Sequence, residues 1–366
     1  MLRMVPLPRF TGEDPPALSA PNSPRRGAPP FTGELSAKPT EGARGDATKG
    51  GRYKVPVTTA ESPARTALRR KTPVILETRG WSDYALIDSG NGEKLERYGK
   101  YRIVRPEAQA LWTPRKAARE WEAADAKFVG IGEDEKEGET GGRWRYKRPL
   151  GETWPIEYDG VPFLGRFTSF RHVGVFPEQA THWDWMRDLI AGAGRPVKVL
   201  NLFAYTGVAS LIAAKAGAEV THIDASKKAI GWARENQALG HLEALKIRWI
   251  CEDATKFVER ETRRGSRYDG IILDPPKFGR GPNGEVWDIF TSLRPLLAAC
   301  VGLLSERALF LILTAYSIRA SFYSIDELAA ESLAGRGGLL ESGELVLQEE
   351  GGGRRLSTSL FSRWSA

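Results

Sequence analysis

The second half of the chain carries short apolar runs separated by amphipathic segments of helical length. This alternation predicts βαβ units and a parallel, doubly wound sheet. Residues 350–355 join the last two runs with no helix between them, so we expect these two to pair antiparallel and close the sheet. We therefore expect an α/β fold with a Rossmann-like seven-stranded domain over residues 181–366.

The predicted strands of this domain are Val197–Leu202, Glu219–Asp224, Lys246–Cys251, Tyr268–Asp274, Leu309–Thr314, Leu340–Glu349 and Leu356–Ser362. The predicted helices are Val208–Ala216, Lys227–Leu239, Thr255–Arg264, Val286–Leu304 and Ile325–Ala334.

Residues 73–180 follow a different pattern, with strand-like runs broken by turn residues. Asn91-Gly92 separates the runs Trp81–Asp88 and Lys94–Val104, which predicts a β-hairpin in a small β-rich domain. The aromatic residues of this domain have two interpretations, a platform on which nucleic-acid bases stack or the core of a small sheet. They are Trp81, Tyr84, Tyr98, Tyr101 and Trp112, with Arg102 and Arg105 among them.

The formal net charge of +7 lies entirely in residues 1–72, which hold 13 Lys/Arg against 6 Asp/Glu and 11 of the 23 prolines. A segment this polar and proline-rich buries too little apolar surface to offset the entropy of ordering, so we expect a disordered basic arm. Two interpretations of the arm stand side by side, an RNA tether and a solvated tail.

Cysteine and histidine usage narrows the class of protein further. Cys251 and Cys300 are the only cysteines, and the chain has no apolar run of 18 residues, so neither a disulfide framework nor a transmembrane helix is expected. The four histidines have no metal-ligand spacing, so no metal is expected. These features favour a cytoplasmic protein.

The first strand of the predicted sheet ends in Asn201-Leu-Phe-Ala-Tyr-Thr-Gly207. Ligands of open α/β sheets bind at the carboxyl ends of the strands, and a dinucleotide pyrophosphate needs a Gly-x-Gly-x-x-Gly turn there. This turn lacks that spacing. A single glycine among polar groups and carbonyls suits a cofactor with an ammonium, a carboxylate and an adenosine but no phosphate, which predicts S-adenosylmethionine.

Acidic residues follow the next two strands. Asp224 ends the second strand and is expected to accept the ribose hydroxyls, and Asp253 follows the third strand and is expected to accept the adenine amino group. The alternative is that each acid caps the helix that follows it. The agreement of three strand ends favours the cofactor interpretation.

The fourth strand ends in Asp274-Pro275-Pro276-Lys277-Phe278-Gly279, the most specific motif of the chain. Because proline has no N–H, this turn leaves carbonyls without an intrachain partner. The Asp274 carboxylate and the Pro275 carbonyl are expected to hold a nitrogen nucleophile while Phe278 stacks on its base and Lys277 meets a phosphate. The alternative is a structural Pro-Pro turn with Phe278 in the core.

Four motifs together resemble the class I ribosomal RNA base methyltransferases of the RlmI and RlmK type, over about residues 170–364. They are Val199–Gly207, Ile223–Ser226, Trp232–Asn236 and Asp274–Phe278. The resemblance implies an S-adenosylmethionine cofactor, an RNA substrate, in particular large-subunit ribosomal RNA, and a target base facing Phe278. The predicted cofactor-binding residues are Asn201, Phe203, Ala204, Thr206, Gly207, Asp224, Ala225, Asp253, Ala254 and Asp274. The predicted catalytic residues are Asp274, Pro275 and Phe278, and the predicted substrate-binding residues are Lys277, Phe278 and Tyr316.

The sequence departs from this group at two positions. The segment Gly174–Gln179 resembles the one that reaches over the cofactor, but Ala180 stands where an arginine is usual. Members that methylate C5 of cytosine have a cysteine just after the fifth strand, whereas Leu313–Arg319 contains none. We therefore expect a nitrogen target. The alternatives are a cytosine-C5 RNA methyltransferase, a protein or small-molecule methyltransferase, and a non-catalytic RNA-binding assembly factor.

Overall fold

The computed structural model describes residues 67–130, 142–316 and 318–366, all within one compact unit. Residues 1–66 of the predicted arm lie outside this described part. Residues 69–72 do not belong to an arm, because they begin the strand β1 (Arg69–Thr78). Among the described residues, no helix is long and apolar enough to span a membrane.

The elements follow in chain order. The first group of strands is β2 (Tyr84–Gly90), β3 (Glu93–Tyr98), β4 (Tyr101–Pro106), β5 (Ala126–Gly130), β6 (Gly142–Tyr146), β7 (Thr153–Tyr158) and β8 (Val161–Arg166). The later strands are β9 (Val197–Leu202), β10 (Ala218–Asp224), β11 (Ile247–Cys251), β12 (Gly270–Leu273), β13 (Phe278–Arg280), β14 (Val286–Asp288), β15 (Phe310–Tyr316), β16 (Leu339–Gln348) and β17 (Arg355–Ser365). The helices are α1 (Ala118–Glu122), α2 (Ala180–Ala191), α3 (Val208–Lys215), α4 (Lys227–Leu239), α5 (Ala254–Arg263), α6 (Ile289–Leu303) and α7 (Phe322–Ser332), with a 3-10 turn at Pro177–Gln179.

Strands β2 to β6 form a five-stranded sheet in sequence order. The predicted hairpin is confirmed: β2 and β3 pair antiparallel around Asn91 and Gly92, whose φ angles are 52° and 75°. Positive φ at both central residues of a two-residue loop matches the twist of the flanking strands.

The aromatic residues of this region form a core rather than a stacking platform. Trp81, Tyr84, Tyr98 and Tyr101 are buried and contact one another or their neighbours edge-on or tilted. Trp112 is half-buried and packs against the same cluster. The platform interpretation is therefore wrong for these rings, since no face of the buried ones is open to a base.

The large sheet has eight strands in the order β1-β16-β17-β15-β12-β9-β10-β11. The seven predicted strands are all present, and β16 and β17 pair antiparallel as expected. The eighth strand, β1, pairs with β16 in parallel at the edge. Gly343 makes this close pairing possible, because a Cβ there would stand 1.8 Å from the Val74 carbonyl oxygen.

The predicted domain boundaries do not follow the sheets. Residues 73–78 were assigned to the β-rich domain but lie in the large sheet as part of β1. One apolar cluster continues from Trp154 of β7 through Met186 of α2 to Val199 of β9, so the small β elements share a core with the large sheet. Helix α6 begins at Ile289 rather than Val286, because Val286–Asp288 pairs with β13 as a short hairpin.

Candidate active site

The loop that follows β9 has an unusual backbone. Phe203, Tyr205 and Gly207 have φ angles of 57°, 50° and 82°, in the left-handed region that residues other than glycine rarely adopt. Gly207 also has no room for a side chain, since a Cβ there would lie 2.9 Å from the Ala233 Cβ. Such backbone strain persists only where the surrounding structure enforces it, which marks this loop as a functional candidate.

A cavity opens beside this loop at the carboxyl ends of β9 and β12. Its lining includes five predicted residues, namely Asn201, Phe203, Ala204, Thr206 and Asp274. The predicted residues outside the lining are Gly207, Asp224, Ala225, Asp253, Ala254, Pro275, Lys277, Phe278 and Tyr316. The predicted residues after β9 and β12 therefore meet at one cavity, whereas those after β10 and β11 do not line it.

Asp224 is connected to the cavity through the first loop. Its carboxylate accepts the backbone N–H of Tyr205, a lining residue, at 2.9 Å and that of Ser226 at 2.8 Å. Burial raises the pKa of Asp224 above its usual value, while these two N–H groups act to lower it. Ser226, not Asp224, caps α4 by accepting the N–H of Ala229. The capping alternative for Asp224 is therefore wrong.

Asp253 does cap a helix. Its carboxylate accepts the N–H of Lys256 at 3.0 Å at the start of α5, as the alternative interpretation stated. One such bond leaves other lone pairs of the carboxylate available to a ligand. The adjacent predicted residue Ala254 is buried in the first turn of α5.

Asn201 and Thr206 hold the loop in place. The Asn201 amide donates to the Ser210 hydroxyl at 2.9 Å, which ties the end of β9 to α3. The Thr206 hydroxyl donates to the Gly174 carbonyl at 2.6 Å, which fastens the segment Gly174–Gln179 across the loop. Gly174, Val175, Phe176 and Gln179 of that segment line the cavity, as its resemblance implied.

The Asp274 turn presents groups without protein partners. The Pro276 carbonyl accepts the Trp287 indole N–H at 2.6 Å, and the Lys277 carbonyl accepts the Ile289 N–H at 3.0 Å. No described residue donates a hydrogen bond to the Asp274 carboxylate or to the Pro275 carbonyl. Burial, and after it the negative charge of Glu178, raises the pKa of Asp274 to about 7.

Phe278 stands at the start of the β13–β14 hairpin and is 59% exposed, so the interpretation that it fills the core is wrong. The Lys277 ammonium lies 5.4 Å from the centre of its ring. An exposed ring in this position can stack on a base, while the neighbouring ammonium contacts the phosphate of the same nucleotide.

Tyr316 lies at the end of β15, outside the cavity lining. Its hydroxyl accepts a hydrogen bond from Arg171 at 2.7 Å, and its ring centre lies 5.8 Å from that of Phe176 in the lining. The hydroxyl is thus already partnered, and Tyr316 supports the wall of the cavity through Phe176.

The sequence prediction missed the residues that α2 contributes to the cavity. They are His182, Trp183 and Met186. Neither ring nitrogen of His182 has a hydrogen-bond partner among the described residues, and burial, with the Arg363 charge, lowers the pKa of His182 to about 3. The imidazole is therefore neutral at pH 7. The apolar spacing of Trp183, Met186 and Ile190 was the available signal for a buried helix face.

Residues 67–130, 142–316 and 318–366 contain no candidate metal-binding site. No group of three or more His, Cys, Asp or Glu side chains there is arranged to hold a metal ion.

The strand order, the antiparallel final strand and the cavity at the carboxyl ends define a Rossmann-like methyltransferase fold. The sequence profile of the S-adenosylmethionine-dependent methyltransferases matches residues 105–329, more than half of the chain. The chain belongs to the S-adenosylmethionine-dependent methyltransferase family, and S-adenosylmethionine is its cofactor.

A solved structure is similar over most of the chain. The SAM-dependent methyltransferase from Agrobacterium tumefaciens is 61% identical, with a TM-score of 0.78 over 82% of this chain and 96% of that one. Two curated relatives are the ribosomal RNA large subunit methyltransferase K/L of Shewanella frigidimarina and the large subunit methyltransferase I of Aeromonas salmonicida. They are 34% and 32% identical over 40% of this chain. The matches span 20% and 34% of the length of these two relatives.

The residues around the cavity fit the cofactor. Its ammonium group suits the carboxylate of Asp274, which lines the cavity. Hydroxyls of its ribose suit Asp224, whose two protein hydrogen bonds leave lone pairs available.

Proposed function

We propose that this chain transfers a methyl group from S-adenosylmethionine to a base nitrogen of RNA, with large-subunit ribosomal RNA as the substrate. The observation that carries the proposal is the Asp274-Pro275 turn. It offers a partly buried carboxylate and a carbonyl, both without donors among the described residues, at the edge of the cofactor cavity. Two acceptors side by side fit a nucleophile that bears N–H groups.

The roles of the residues follow from this geometry. The Asp274 carboxylate and the Pro275 carbonyl accept the N–H groups of the target nitrogen and thereby orient its lone pair. The cofactor supplies an electrophilic methyl group when bound. As the nitrogen gains the methyl, it loses a proton to the Asp274 carboxylate, and a pKa of about 7 suits that group to release the proton to water.

The cysteines support a nitrogen target over C5 of cytosine. Methylation at a ring carbon needs a thiolate that attacks C6. Cys300 is buried within α6, and burial raises its pKa well above the usual value for a thiol. Burial also raises the pKa of Cys251, which lies in β11 and donates to the Ala225 carbonyl at 3.6 Å. Neither thiol is poised as a nucleophile.

Three features support RNA as the substrate. Phe278 is an exposed ring beside Lys277, suited to stack on a base while the ammonium meets its phosphate. Two curated relatives carry the name ribosomal RNA large subunit methyltransferase. In the small sheet, Arg143 and Arg145 of β6 are exposed on one face beside Lys127 of β5, which pairs across from Arg145. As parts of the same proposal, the small sheet positions the RNA and the protein is located in the cytoplasm.

The test is a comparison of modified nucleosides in large-subunit ribosomal RNA from cells with and without the gene, measured by mass spectrometry. One N-methylated nucleoside is expected to disappear on deletion. It should return with the wild-type chain and not with Asp274→Ala. The control is Asp188→Ala, an exposed acid on α2 that should restore it fully. An unchanged nucleoside profile on deletion would contradict the proposal.

A further inference from the structure

A second concave site lies at the opposite end of the large sheet from the cofactor cavity. It has a volume of 580 Å³. Its charged lining residues, here called the arginine pit, are Arg195, Arg267, Arg307 and Arg336 together with Asp269 and Glu306.

The topology of the sheet brings the four arginines together. Each stands within a few residues of the amino end of a strand, before β9, β12, β15 and β16 respectively. These four strands run in the same direction, so their amino ends meet at one edge. The cofactor cavity lies at their carboxyl ends, and no described residue lines both sites.

Two of the arginines are fixed by backbone carbonyls. Arg336 donates to the carbonyls of Val301, Leu304 and Ser305 at 2.9 to 3.2 Å at the end of α6. Arg195 donates to the Arg307 carbonyl in the turn that follows. The turn between α6 and β15 is therefore held from both sides by guanidinium groups.

Asp269 is the one acid that balances charge within the pit at close range. Its carboxylate accepts the Lys198 N–H at 2.9 Å and the Ser305 hydroxyl at 2.8 Å, and it lies 3.1 Å from Arg195. Burial acts to raise the pKa of Asp269, but these partners outweigh it and the pKa is lowered. Asp269 is thus ionised and paired with Arg195, and it does not neutralise the charge of the other three arginines.

The remaining positive charge has no carboxylate partner among the described residues. Arg267 donates only to the neighbouring Ser266 carbonyl, and neither Arg307 nor Arg336 forms an ion pair there. Arg267 and Arg336 line the same concavity, and burial, followed by the charge of Arg267, lowers the pKa of Arg336. Four arginines against two acids leave a formal surplus of two positive charges in one concavity.

We propose that the arginine pit binds a phosphate group through the exposed guanidinium groups of Arg267 and Arg307. Arg195 and Arg336, which are held by backbone carbonyls, form the rest of the positively charged lining. Guanidinium forks match phosphate oxygens in geometry and stay charged at every accessible pH. The surplus of two charges equals the charge of one phosphate dianion or of two adjacent phosphodiesters. The phosphate source is either a small anion or the backbone of the RNA substrate.

The test uses the variant Arg267→Gln/Arg307→Gln, which removes two charges and leaves the carbonyl bonds of Arg195 and Arg336 intact. The matched control is Arg234→Gln/Arg294→Gln, two exposed arginines elsewhere that lower the net charge equally. Calorimetric titration with inorganic pyrophosphate, in the absence of cofactor and RNA, measures the site directly. We expect the pit variant to bind pyrophosphate at least tenfold more weakly than wild type and the control to bind it within twofold.

A second arm identifies the source. Affinity for unmodified large-subunit ribosomal RNA is measured against salt concentration. If RNA supplies the phosphate, the pit variant lowers the log–log salt slope by about two relative to the control. An unchanged slope beside weakened pyrophosphate binding assigns the site to a small anion. Equal pyrophosphate affinity in wild type and pit variant, or an equal loss in the control, overturns the site. Cofactor affinity should be unchanged in both variants, so the site and the proposed function fail independently.

Discussion

Glu96 in the small sheet is a fully buried carboxylate and Asp274, just after β12 of the large sheet, is a partly buried one, but their surroundings are opposite. Glu96 accepts hydrogen bonds from the Tyr84 and Tyr98 hydroxyls, each at 3.0 Å, and from Arg105 at 2.7 and 2.8 Å. Burial acts to raise the pKa of Glu96, but Arg105 and then Lys94 outweigh it and lower the pKa to about 2. Asp274 has no donor among the described residues, and burial raises its pKa to about 7.

The difference separates a structural charge from a functional one. A buried carboxylate with all its partners supplied by the fold is complete without a ligand, whereas one without partners destabilises the folded state. Such an uncompensated group persists where a ligand or a reaction uses it. The two carboxylates therefore predict opposite results on substitution, one in stability and the other in activity.

The largest effect is expected at Glu96. Glu96→Gln leaves the buried Arg105 guanidinium without its counter-charge, which costs about 3–5 kcal/mol in the free energy of unfolding. Denaturant unfolding measures this loss. Glu93→Gln on the same strand breaks only the half-exposed pair with Lys127 and should cost about 0–1 kcal/mol. Equal stability of Glu96→Gln and wild type would contradict the structural role.

The next effect is on activity. Asp274→Ala removes the acceptor that orients the nucleophile, so methyl transfer should fall on the order of a hundredfold or more. Stability should not fall. Because the folded state raises the pKa of Asp274, its carboxylate weakens folding progressively as the pH rises from about 4 to about 7, so the variant should gain stability over wild type in that range. A variant with wild-type transfer rates would remove Asp274 from the reaction.

Substitution of Asp224 tests cofactor binding at the carboxyl-end edge of the large sheet. Asp224→Ala should weaken S-adenosylmethionine binding more than tenfold, because a charge-assisted hydrogen bond to a ribose contributes about 1.5–3 kcal/mol. Calorimetric titration measures the affinity. The comparison variant is Asp253→Asn, which keeps a side chain able to cap α5. Unchanged cofactor affinity in folded Asp224→Ala would assign that carboxylate to the Tyr205 and Ser226 backbone alone.

The smallest effect is a shift in pH dependence. Transfer needs the ionised Asp274, so the rate should rise with pH around a midpoint near 7. Glu178, a buried acid with Lys94, Arg105 and Glu96 near it, adds to the raised pKa of Asp274. Glu178→Gln should therefore move the midpoint to lower pH. A midpoint that stays in place, or moves upward, would show that Glu178 does not act on Asp274.

Periodicity predicted the large sheet well because its signals are local. Strand β9 and helix α4 have the bounds that the sequence pattern indicated. Strand β1 was missed because its pairing partner β16 lies about 270 residues away, and nothing within Arg69–Thr78 indicates that contact. The same limit applies to the domain boundary at residue 73.

The candidate site was predictable where strand ends carry polar residues. Asp274 and Asn201 line the cavity because parallel strands deliver their next residues to one edge. His182 and Glu178 could not be assigned in this way, since both come from the segment before β9 that folds back over the edge. Their burial, and the pKa shifts that result, depend on packing that no local pattern records.

The most direct test of base-nitrogen methylation is transfer of radiolabelled methyl from S-adenosylmethionine to ribosomal RNA by the purified chain, followed by digestion to nucleosides. The label is expected on the nitrogen of one base. RNA that carries 5-fluorocytosine should give no denaturant-stable adduct with the protein, and Cys251→Ser/Cys300→Ser should keep transfer within about tenfold of wild type. Label at C5 of cytosine, with an adduct that disappears when either cysteine is replaced, would contradict the assignment of a nitrogen target.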